Sequence, residues 1–285
     1  MGREQITARS EAQLSGQHYL RDQRRHMGRE QVTMGTEPEF SIVIPVYNEE
    51  KILQTSLTDL QERLAQTGYS YEIILAENGS RDRTVDIGRE YGGQHPEVQV
   101  FSYPEPNYGG ALREGILRAR GDFVVCEEID ILDVDFHLCA LELLRTRKAD
   151  MVVGSKAMRG ARDNRPFIRR FATRVYNRVL RVTLGFRGTD THGIKAFRRS
   201  TLLVVLKECV IEKDVFASEL VIRAERAGLR IVEIPVDITE KRAPSINLFR
   251  RVPRAVANVL RLMIYIHFGR NGVQPAAAKQ TGVRK

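Results

Sequence analysis

Tryptophan is absent from this chain of 285 residues, and only three cysteines occur in it. These cysteines, Cys126, Cys139 and Cys209, form no C-x-x-C pair and are odd in number. That pattern argues against a disulfide framework or a zinc site and fits a reducing compartment. No stretch reaches the roughly 18 apolar residues of a membrane-spanning helix, and the N-terminus lacks the apolar core of a signal peptide. We therefore expect a cytoplasmic protein.

The charge of the chain is unbalanced, because 45 Lys and Arg stand against 36 Asp and Glu, a formal net charge of +9. Such a balance favours an anionic partner, namely a nucleotide, a phosphorylated substrate or a membrane surface, although a solvated basic surface is also common. Nucleic acid is not an expected partner. Aromatic residues make up only 7% of the chain, and no recognition motif is visible.

Hydrophobic periodicity predicts an α/β fold with a mostly parallel central sheet flanked by helices. Short apolar or β-branched runs that predict strands lie at 40–46, 71–76, 98–102, 122–126, 151–154 and 231–236. Helical patterns lie at 50–65, from 82 onward, and at 109–120, 164–183, 213–227 and 249–268. We divide the chain into a flexible polar extension (1–38), the α/β domain (39–248), an amphipathic C-terminal helix (249–270) and a flexible basic tail (271–285).

Polar and acidic residues follow three of the predicted strands at their carboxyl ends. These residues are Tyr47-Asn48-Glu49, Glu77-Asn78 and Glu127-Glu128-Ile129-Asp130. Ligands of parallel α/β sheets bind beyond the carboxyl ends of the strands. The sequence therefore predicts a site at this edge of the sheet.

The order of these motifs resembles that of the family-2-type glycosyltransferases of the GT-A fold. In that family the first strand ends in a Pro-x-Tyr-Asn-Glu-like turn, the second in an Asp-Asp-Gly-Ser-x-Asp-like turn, and the fourth in a metal-holding Asp-x-Asp. The resemblance continues through 109–115, 190–198 and 233–236, and it is greatest to the polyprenyl-phosphate (dolichyl-phosphate-mannose-synthase-like) branch. It implies inverting transfer of a hexose from a GDP- or UDP-sugar to a polyprenyl phosphate.

A divalent metal, Mg²⁺ or Mn²⁺, is implied by the acids after the fourth strand. Departure of a nucleoside diphosphate needs a cation, and carboxylates at i and i+2 supply the oxygen ligands that such ions prefer. Glu128 and Asp130 have this spacing, but the first acid is Glu where the family has Asp. A pair of solvated loop acids is the alternative interpretation.

The nucleotide pocket implied by the resemblance is lined by residues from the first two strand ends. We expect Pro45, Tyr47, Glu49, Glu77, Asn78 and Glu128 to bind the donor. Glu77 and Asn78 stand where the family has two acids, so the choice of base is not readable. Asn78-Gly79-Ser80 also has the composition of an ordinary turn, and Tyr47 could equally cap the sheet as a core aromatic.

The acceptor is expected to be a phosphate, which is already ionised at pH 7 and needs cations rather than a general base. Lys156 and Arg242 match family positions near the active site, and we expect them to act in catalysis together with Asp130 and Asp190. If the acceptor were instead a glycan or small-molecule hydroxyl, Asp190 or His192 would serve as base. A non-catalytic nucleotide-sugar binder is the remaining alternative, given the altered acids.

The C-terminal helical segment combines a narrow polar stripe with a wide apolar surface. Arg251, Arg254, Asn258, Arg261 and Tyr265 share one face. The segment is too short and too charged to span a bilayer, so it either packs on the domain or lies among lipid headgroups. With a polyprenyl acceptor, peripheral contact at the inner face of the cytoplasmic membrane is expected.

Overall fold

The computed structural model of the chain describes residues 37–164, 166–212, 215–237 and 248–268, without the side chains of 248–255 and 268. The strands of this part are β1 (Phe40–Val46), β2 (Tyr71–Glu77), β3 (Val98–Ser102), β4 (Phe123–Cys126), β5 (Met151–Ser155), β6 (Lys195–Arg198) and β7 (Ile231–Pro235). Its helices are α1 (Leu53–Ala65), α2 (Thr84–Gln94), α3 (Tyr108–Arg118), α4 (Val134–Arg145), α5 (Phe167–Leu184), α6 (Arg199–Glu208), α7 (Phe216–Arg226) and α8 (Leu248–Phe268).

The strands form one sheet in the order β3-β2-β1-β4-β6-β5-β7. All neighbouring pairs are parallel except those of β6, which runs antiparallel to both β4 and β5. The mostly parallel sheet predicted from the sequence is therefore confirmed. Because β6 is reversed, the start of β6 lies at the same edge as the ends of β1, β2, β4 and β5, and that edge carries the candidate site.

Two apolar clusters cover the two faces of the sheet. Side chains alternate along β1, so that Ile42 and Ile44 join the cluster under α1, α2 and α4, whereas Val43 joins the cluster under α3 and α5–α8. Burial on both faces explains why the strands read as continuous β-branched runs. The sheet is thereby held rigid from both sides.

The structure corrects several predicted boundaries and adds three elements. The helix expected from Glu50 begins at Leu53, because Glu50 serves in the loop, where its carboxylate accepts from the backbone N–H of Arg83 (3.2 Å). The helix expected from Asn164 begins at Phe167, after Pro166 with its extended ψ of 143°. The sequence prediction missed α4, β6 and α6. The four residues of β6, Lys195-Ala-Phe-Arg198, are too few and too charged to show a strand pattern.

The helix predicted at the C-terminus is present as α8, which places Val259 and Leu262 in the core and contacts α5. Among the described helices, none has both the length and the apolar character needed to cross a membrane. Most of the predicted extension, residues 1–36, and all of the predicted tail, residues 271–285, lie outside the described residues. The proposed division of the chain at 248 stays a prediction.

Candidate active site

The loops after β1 and β2 are joined by hydrogen bonds into one rigid rim. Asn48, whose φ of 56° lies in the left-handed region that Asn tolerates, accepts at Oδ1 from the backbone N–H of Arg81 (2.9 Å). The backbone N–H of Glu49 donates to the Thr84 hydroxyl (2.7 Å), so the buried Glu49 lies where the two loops meet. Tyr47 stays exposed at the lip and is not a core aromatic. An exposed ring is free to stack on a base or ribose.

Glu77 and Asn78 both serve in the turn that they begin. The Glu77 carboxylate accepts from the backbone N–H of Ser80, and Asn78 Oδ1 accepts from the backbone N–H of Asn107. Both residues are buried, and Pro45 is buried inside β1 opposite Ala76. The turn chemistry expected of Asn78-Gly79-Ser80 is therefore observed. The nucleotide contacts of these three residues stay predictions.

The acidic segment after β4 folds back on itself as a tight turn. The backbone N–H of Ile131 donates to the carbonyl of Glu128 (2.8 Å), and these two residues form an isolated antiparallel bridge. Asp130 is buried, whereas Glu128 is half-buried. Tyr108, at the start of α3, is partly exposed beside the turn, and desolvation of its hydroxyl and then the charge of Glu128 raise the pKa of the phenol well above the ordinary value. We call residues 127–131 the acidic turn.

Beneath the acidic turn lies a pair of side chains that sequence reasoning overlooked. Glu127 and His137 are both fully buried, and Glu127 Oε1 lies 2.6 Å from His137 Nε2. The same carboxylate oxygen accepts from the backbone N–H of Asp133, which caps α4 (3.2 Å). The pair therefore ties the acidic turn to the start of α4. The i, i+10 spacing of the two residues gave no sequence signal for this contact.

Lys156 and Asp190 form a buried ion pair at the ends of β5 and the loop before β6. Lys156 Nζ lies 3.0 Å from Asp190 Oδ2. Burial by itself would raise the pKa of Asp190, but the ammonium of Lys156 and the backbone N–H of His192 hold it below the ordinary value. Asp190 is thus kept ionised, and a carboxylate held in this way is a weak general base.

The loop at 188–193 is clasped from three elements, which explains how Asp190 holds its position. From β7, Glu233 accepts from the backbone N–H groups of Thr189 (2.6 Å) and Asp190 (3.2 Å). From α5, the Asn177 amide donates to the carbonyl of Thr189 (2.6 Å), and from β5 the Ser155 hydroxyl meets the Thr189 hydroxyl (2.7 Å). Glu233 therefore helps to fix this loop, a role that the sequence does not indicate because the residue lies within a strand.

His192 lies on the outside of this loop and is exposed. Its ring meets Tyr176 of α5 edge-on, with 5.2 Å between ring centroids. The hydroxyl of the neighbouring Thr191 lies 3.2 Å from His192 Nδ1 and 2.8 Å from the hydroxyl of Ser218. These contacts orient the ring from the side of α5 and α7.

Lys195 connects the acidic turn to the Lys156–Asp190 pair. It begins β6 opposite Cys126, the last residue of β4, and its ammonium donates to the carbonyl of Gly193 (2.6 Å). Burial lowers the pKa of Lys195 to about 8, and its charge interacts with Asp190, Lys156 and Glu128. Burial also raises the pKa of the Cys126 thiol to about 12, so that this thiol stays neutral. Within a strand of four residues, the buried lysine could not be recognised from periodicity.

A polar cavity of about 180 Å³ opens beside Lys156. Its walls come from the segment after β5 and from the first turns of α5, and they are Lys156, Ala157, Met158, Ala161, Asp163, Arg170, Thr173 and Arg174. Arg170 Nε is buried there and has no hydrogen-bond partner within the described ranges of the chain. A buried guanidinium nitrogen without an acceptor is costly, so a bound anion would satisfy it. Arg242, the other predicted cation, lies outside the described residues.

The glycines that open α3 are required by packing. A Cβ added to Gly109 would lie 2.0 Å from the carbonyl oxygen of Glu212, and one added to Gly110 would lie 2.7 Å from the Tyr103 ring. Asn107 caps the helix by accepting from the backbone N–H of Gly110 (3.1 Å). Close packing thus accounts for both glycines without a phosphate.

Comparison with known proteins places this site in a family. The sequence model of Glycosyl transferase family 2 matches residues 41–204. Glycosyltransferase AglD of Haloferax volcanii is 29% identical over 78% of this chain, which spans only 36% of the length of AglD. Two further relatives, a dolichyl-phosphate beta-glucosyltransferase of Drosophila melanogaster and ALG5D of Trichomonas vaginalis, are 30% and 28% identical over 71% and 79% of this chain, covering 67% and 73% of their own lengths.

A solved structure shares the fold. Glucosyl-3-phosphoglycerate synthase from Mycobacterium tuberculosis, in complex with Mn²⁺, UDP-glucose and phosphoglyceric acid, superposes with a TM-score of 0.59 at 21% identity, over 83% of this chain and 86% of that one. The expected GT-A architecture is confirmed. The family model matches more than half of the chain, in the region that contains β1, β2, the acidic turn and the Lys156–Asp190 pair. The chain therefore belongs to glycosyl transferase family 2.

Proposed function

We propose that this chain transfers one hexose, with inversion, from a nucleotide-diphosphate sugar to a polyprenyl phosphate. The observation that carries the proposal is the polar cavity beside Lys156, which contains Arg170 and Arg174. The cavity, beside Lys156 after β5, opens at the edge of the sheet that also carries the acidic turn after β4, and only β6 separates these two strands. The names of the dolichyl-phosphate glucosyltransferase relatives support the same acceptor class.

For the donor, we propose that Tyr47, Glu49, Glu77 and Asn78 surround the nucleoside, with Pro45 beneath them. The rim made by the loops after β1 and β2 is stiffened by its hydrogen bonds, which favours a preformed pocket. UDP and GDP are both retained as donors, because Asn78 can accept as well as donate hydrogen bonds.

The acidic turn fits a divalent cation that arrives with the donor. Among the described residues, no group of three or more His, Cys, Asp or Glu side chains could hold a metal ion. Glu128 and Asp130 provide carboxylate oxygens, and Mg²⁺ is commonly held by one or two carboxylates together with substrate phosphates. When bound, Mg²⁺ or Mn²⁺ would neutralise the charge that develops on the departing diphosphate.

For the transfer itself, the lipid phosphate is held by cations of this chain. We propose that Lys156, Arg170 and Arg174 direct a phosphate oxygen toward the anomeric carbon, on the side opposite the diphosphate. The new bond joins that oxygen to the anomeric carbon, and the bond from this carbon to the β-phosphate oxygen breaks, which inverts the configuration. Asp190 fixes the ammonium of Lys156 through the 3.0 Å ion pair and accepts no proton. Arg242 stays a proposed member of the acceptor side.

A hydroxyl acceptor is the alternative for the same fold, with His192 as base because its ring is exposed and oriented by Tyr176. Asp190 is less suited to that role, because Lys156 and the backbone N–H of His192 hold its pKa below the ordinary value and so make its carboxylate a weaker base. For a lipid acceptor, we place the protein at the inner face of the cytoplasmic membrane.

The decisive experiment is turnover of UDP- and GDP-hexoses with Mn²⁺, with Mg²⁺ and in chelator, using a short-chain prenyl phosphate or a sugar alcohol as acceptor. We expect metal-dependent product only with the prenyl phosphate. Asp130→Asn should lower turnover on the order of a thousandfold, because a charge that assists departure is lost. The exposed Asp135, in the first turn of α4, supplies the control Asp135→Asn. Full activity of Asp130→Asn, or full activity in chelator, would refute the metal assignment.

The acceptor side is tested by Arg170→Ala, with Arg178→Ala as a matched exposed arginine on the same helix. Loss of a charge-assisted hydrogen bond to phosphate should raise the KM for the prenyl phosphate about tenfold or more and leave the KM for the donor unchanged. An equal rise in both KM values, or in neither, would contradict the placement of the acceptor phosphate in this cavity.

A further inference from the structure

Helix α5 carries a wide apolar face that the described part of the fold does not cover. Its exposed apolar residues are Phe167, Ile168, Phe171, Val175, Val179 and Val182, with exposed fractions from 40% to 77%. At 3.6 residues per turn these six fall within an arc of about 120°. The opposite side of the helix carries Asn177, Leu180 and Leu184 into the core. A contiguous apolar patch of this kind is typical of an interaction surface.

A row of arginines borders this apolar face on one side. Arg170, Arg174, Arg178 and Arg181 follow one another at spacings of four, four and three residues. Three of them, Arg170, Arg174 and Arg181, lie between the apolar face and the buried face, and Arg178 lies at the near edge of the apolar face. The first two of them line the cavity beside Lys156. The arginines that line the cavity and the residues of the apolar face therefore lie on adjoining sides of the same helix.

The neighbouring helix α8 repeats the pattern on a smaller scale. Val256, Leu260 and Ile264 are exposed at i, i+4 and i+8, whereas Val259 and Leu262 are buried. His267 Nε2 lies 2.9 Å from the carbonyl oxygen of Thr183, which joins the end of α8 to the end of α5. Two helices in contact thus both expose apolar rows.

We propose that α5, with α8 beside it, is the surface by which this protein lies on an anionic lipid bilayer. The apolar face would enter below the headgroups, and the arginine row would stay level with the lipid phosphates. Arg170 and Arg174 would then hold the acceptor phosphate at the depth where lipid phosphates lie. This inference rests on the proposed function for the identity of the acceptor, but not for the membrane contact itself.

The charge of α5 selects a lipid surface as the occupant. If a second copy of the chain packed its own α5 here, the two arginine rows would repel each other unless acidic residues neutralised them. The sequence of α5 contains no acidic residue. An anionic membrane provides partners for both surfaces, because its phosphates can pair with the arginines and its acyl chains, directly below, can bury the apolar face.

The test uses the triple variant Ile168→Glu/Val175→Glu/Val182→Glu in the full chain. These residues lie on the apolar face and outside the walls of the cavity. The matched control is Val204→Glu, a single exposed valine on α6. We expect co-sedimentation of the triple variant with phosphatidylglycerol vesicles to fall at least tenfold relative to the wild type and to Val204→Glu. Turnover with a water-soluble short-chain prenyl phosphate should be unchanged.

Each outcome decides one statement. Undiminished vesicle binding by the folded triple variant overturns the surface, whatever the activity shows. A wild-type dimer that the substitutions convert to a monomer, measured by light scattering without lipid, identifies a second copy as the occupant and also overturns it. Loss of vesicle binding in a protein that transfers sugar to no prenyl phosphate supports the surface and refutes the proposed acceptor. Far-UV circular dichroism verifies that each variant is folded.

Discussion

Single buried polar residues define the candidate site more than any surface charge. Glu127, Lys195 and Asp190 are all buried near the carboxyl edge of the sheet, and each has a partner of its own. A buried charge without a partner costs several kcal/mol. Each of these buried groups is therefore paired, and each pair holds a loop or a side chain of the site in place. Glu127 holds the acidic turn, and Asp190 holds Lys156.

The Glu127–His137 pair is tested by a double-mutant cycle. His137→Leu should lower the free energy of unfolding by about 3 kcal/mol, because it leaves the Glu127 carboxylate buried without the imidazole. Glu127→Leu/His137→Leu should come within about 1 kcal/mol of the wild type, since an apolar pair needs no desolvation. The free energies of unfolding of both variants are measured by urea denaturation. Circular dichroism follows the transition, because the chain has no tryptophan for fluorescence. A double variant as unstable as His137→Leu would contradict the pairing.

The buried Lys195 gives a pH-dependent stability with a definite sign. Burial lowers its pKa from 10.5 to about 8 in the folded chain, so the unfolded chain binds more protons between these two values. The free energy of unfolding should therefore rise with pH in this window, by up to about 1.4 kcal/mol per pH unit.

Lys195→Met should remove that rise, because the group that titrates is gone. The control is Lys207→Met at the exposed end of α6, which should keep the pH dependence of the wild type. Free energies of unfolding at about pH 7.5 and pH 10 suffice for the comparison. If the free energies of unfolding of Lys195→Met and Lys207→Met change equally over this pH range, burial of the Lys195 ammonium is not the cause of the pH dependence.

Among the elements, the two basic helices have both a structural and a surface role. In α8 the two roles fall on separate faces, because Leu262 is fully buried and Leu260 is about half exposed. Removing α8 altogether would also uncover Val259 and the core beneath it. Truncation before Phe249 would therefore mix loss of stability with loss of membrane contact, and single substitutions are the sharper test.

Leu262→Ala should lower the free energy of unfolding by about 2–4 kcal/mol, because it leaves a cavity between α8 and the domain. Leu260→Ala should change it by less than about 0.5 kcal/mol and should weaken vesicle binding instead. Thermal unfolding and co-sedimentation of both variants provide the comparison. Similar stability losses in the two would show that α8 packs differently from this arrangement.

At the scale of the whole molecule, the net charge of +9 and the α5 surface act in the same direction. Attraction of arginines to anionic lipid is screened by salt, whereas burial of apolar side chains is not. Binding to phosphatidylglycerol vesicles should therefore fall several-fold when NaCl rises from about 0.1 M to 0.5 M, and weak binding to phosphatidylcholine vesicles should persist. Vesicle binding that is insensitive to salt would show that the arginine row does not contribute to the interaction.

The sequence by itself determined the strands at 40–46 and 98–102, those predicted at 71–76 and 151–154 to within one residue, the helices between most of them, and the family. These features are local: a doubly buried strand reads as a β-branched run, and a strand-end motif is contiguous in the chain. The order of such motifs therefore carried both the fold class and the choice of Asp130, Asp190 and Lys156.

Only the tertiary structure decided which of these residues meet. The reversed strand β6 brings Lys195 to Cys126, β7 sends Glu233 to the 188–193 loop, and the turn after β4 places Glu127 against His137. These contacts depend on how elements pack across many residues of sequence, and no local pattern encodes them. The same holds for the exposed face of α5, because the sequence marks a basic amphipathic helix, but packing alone decides which of its faces is left uncovered.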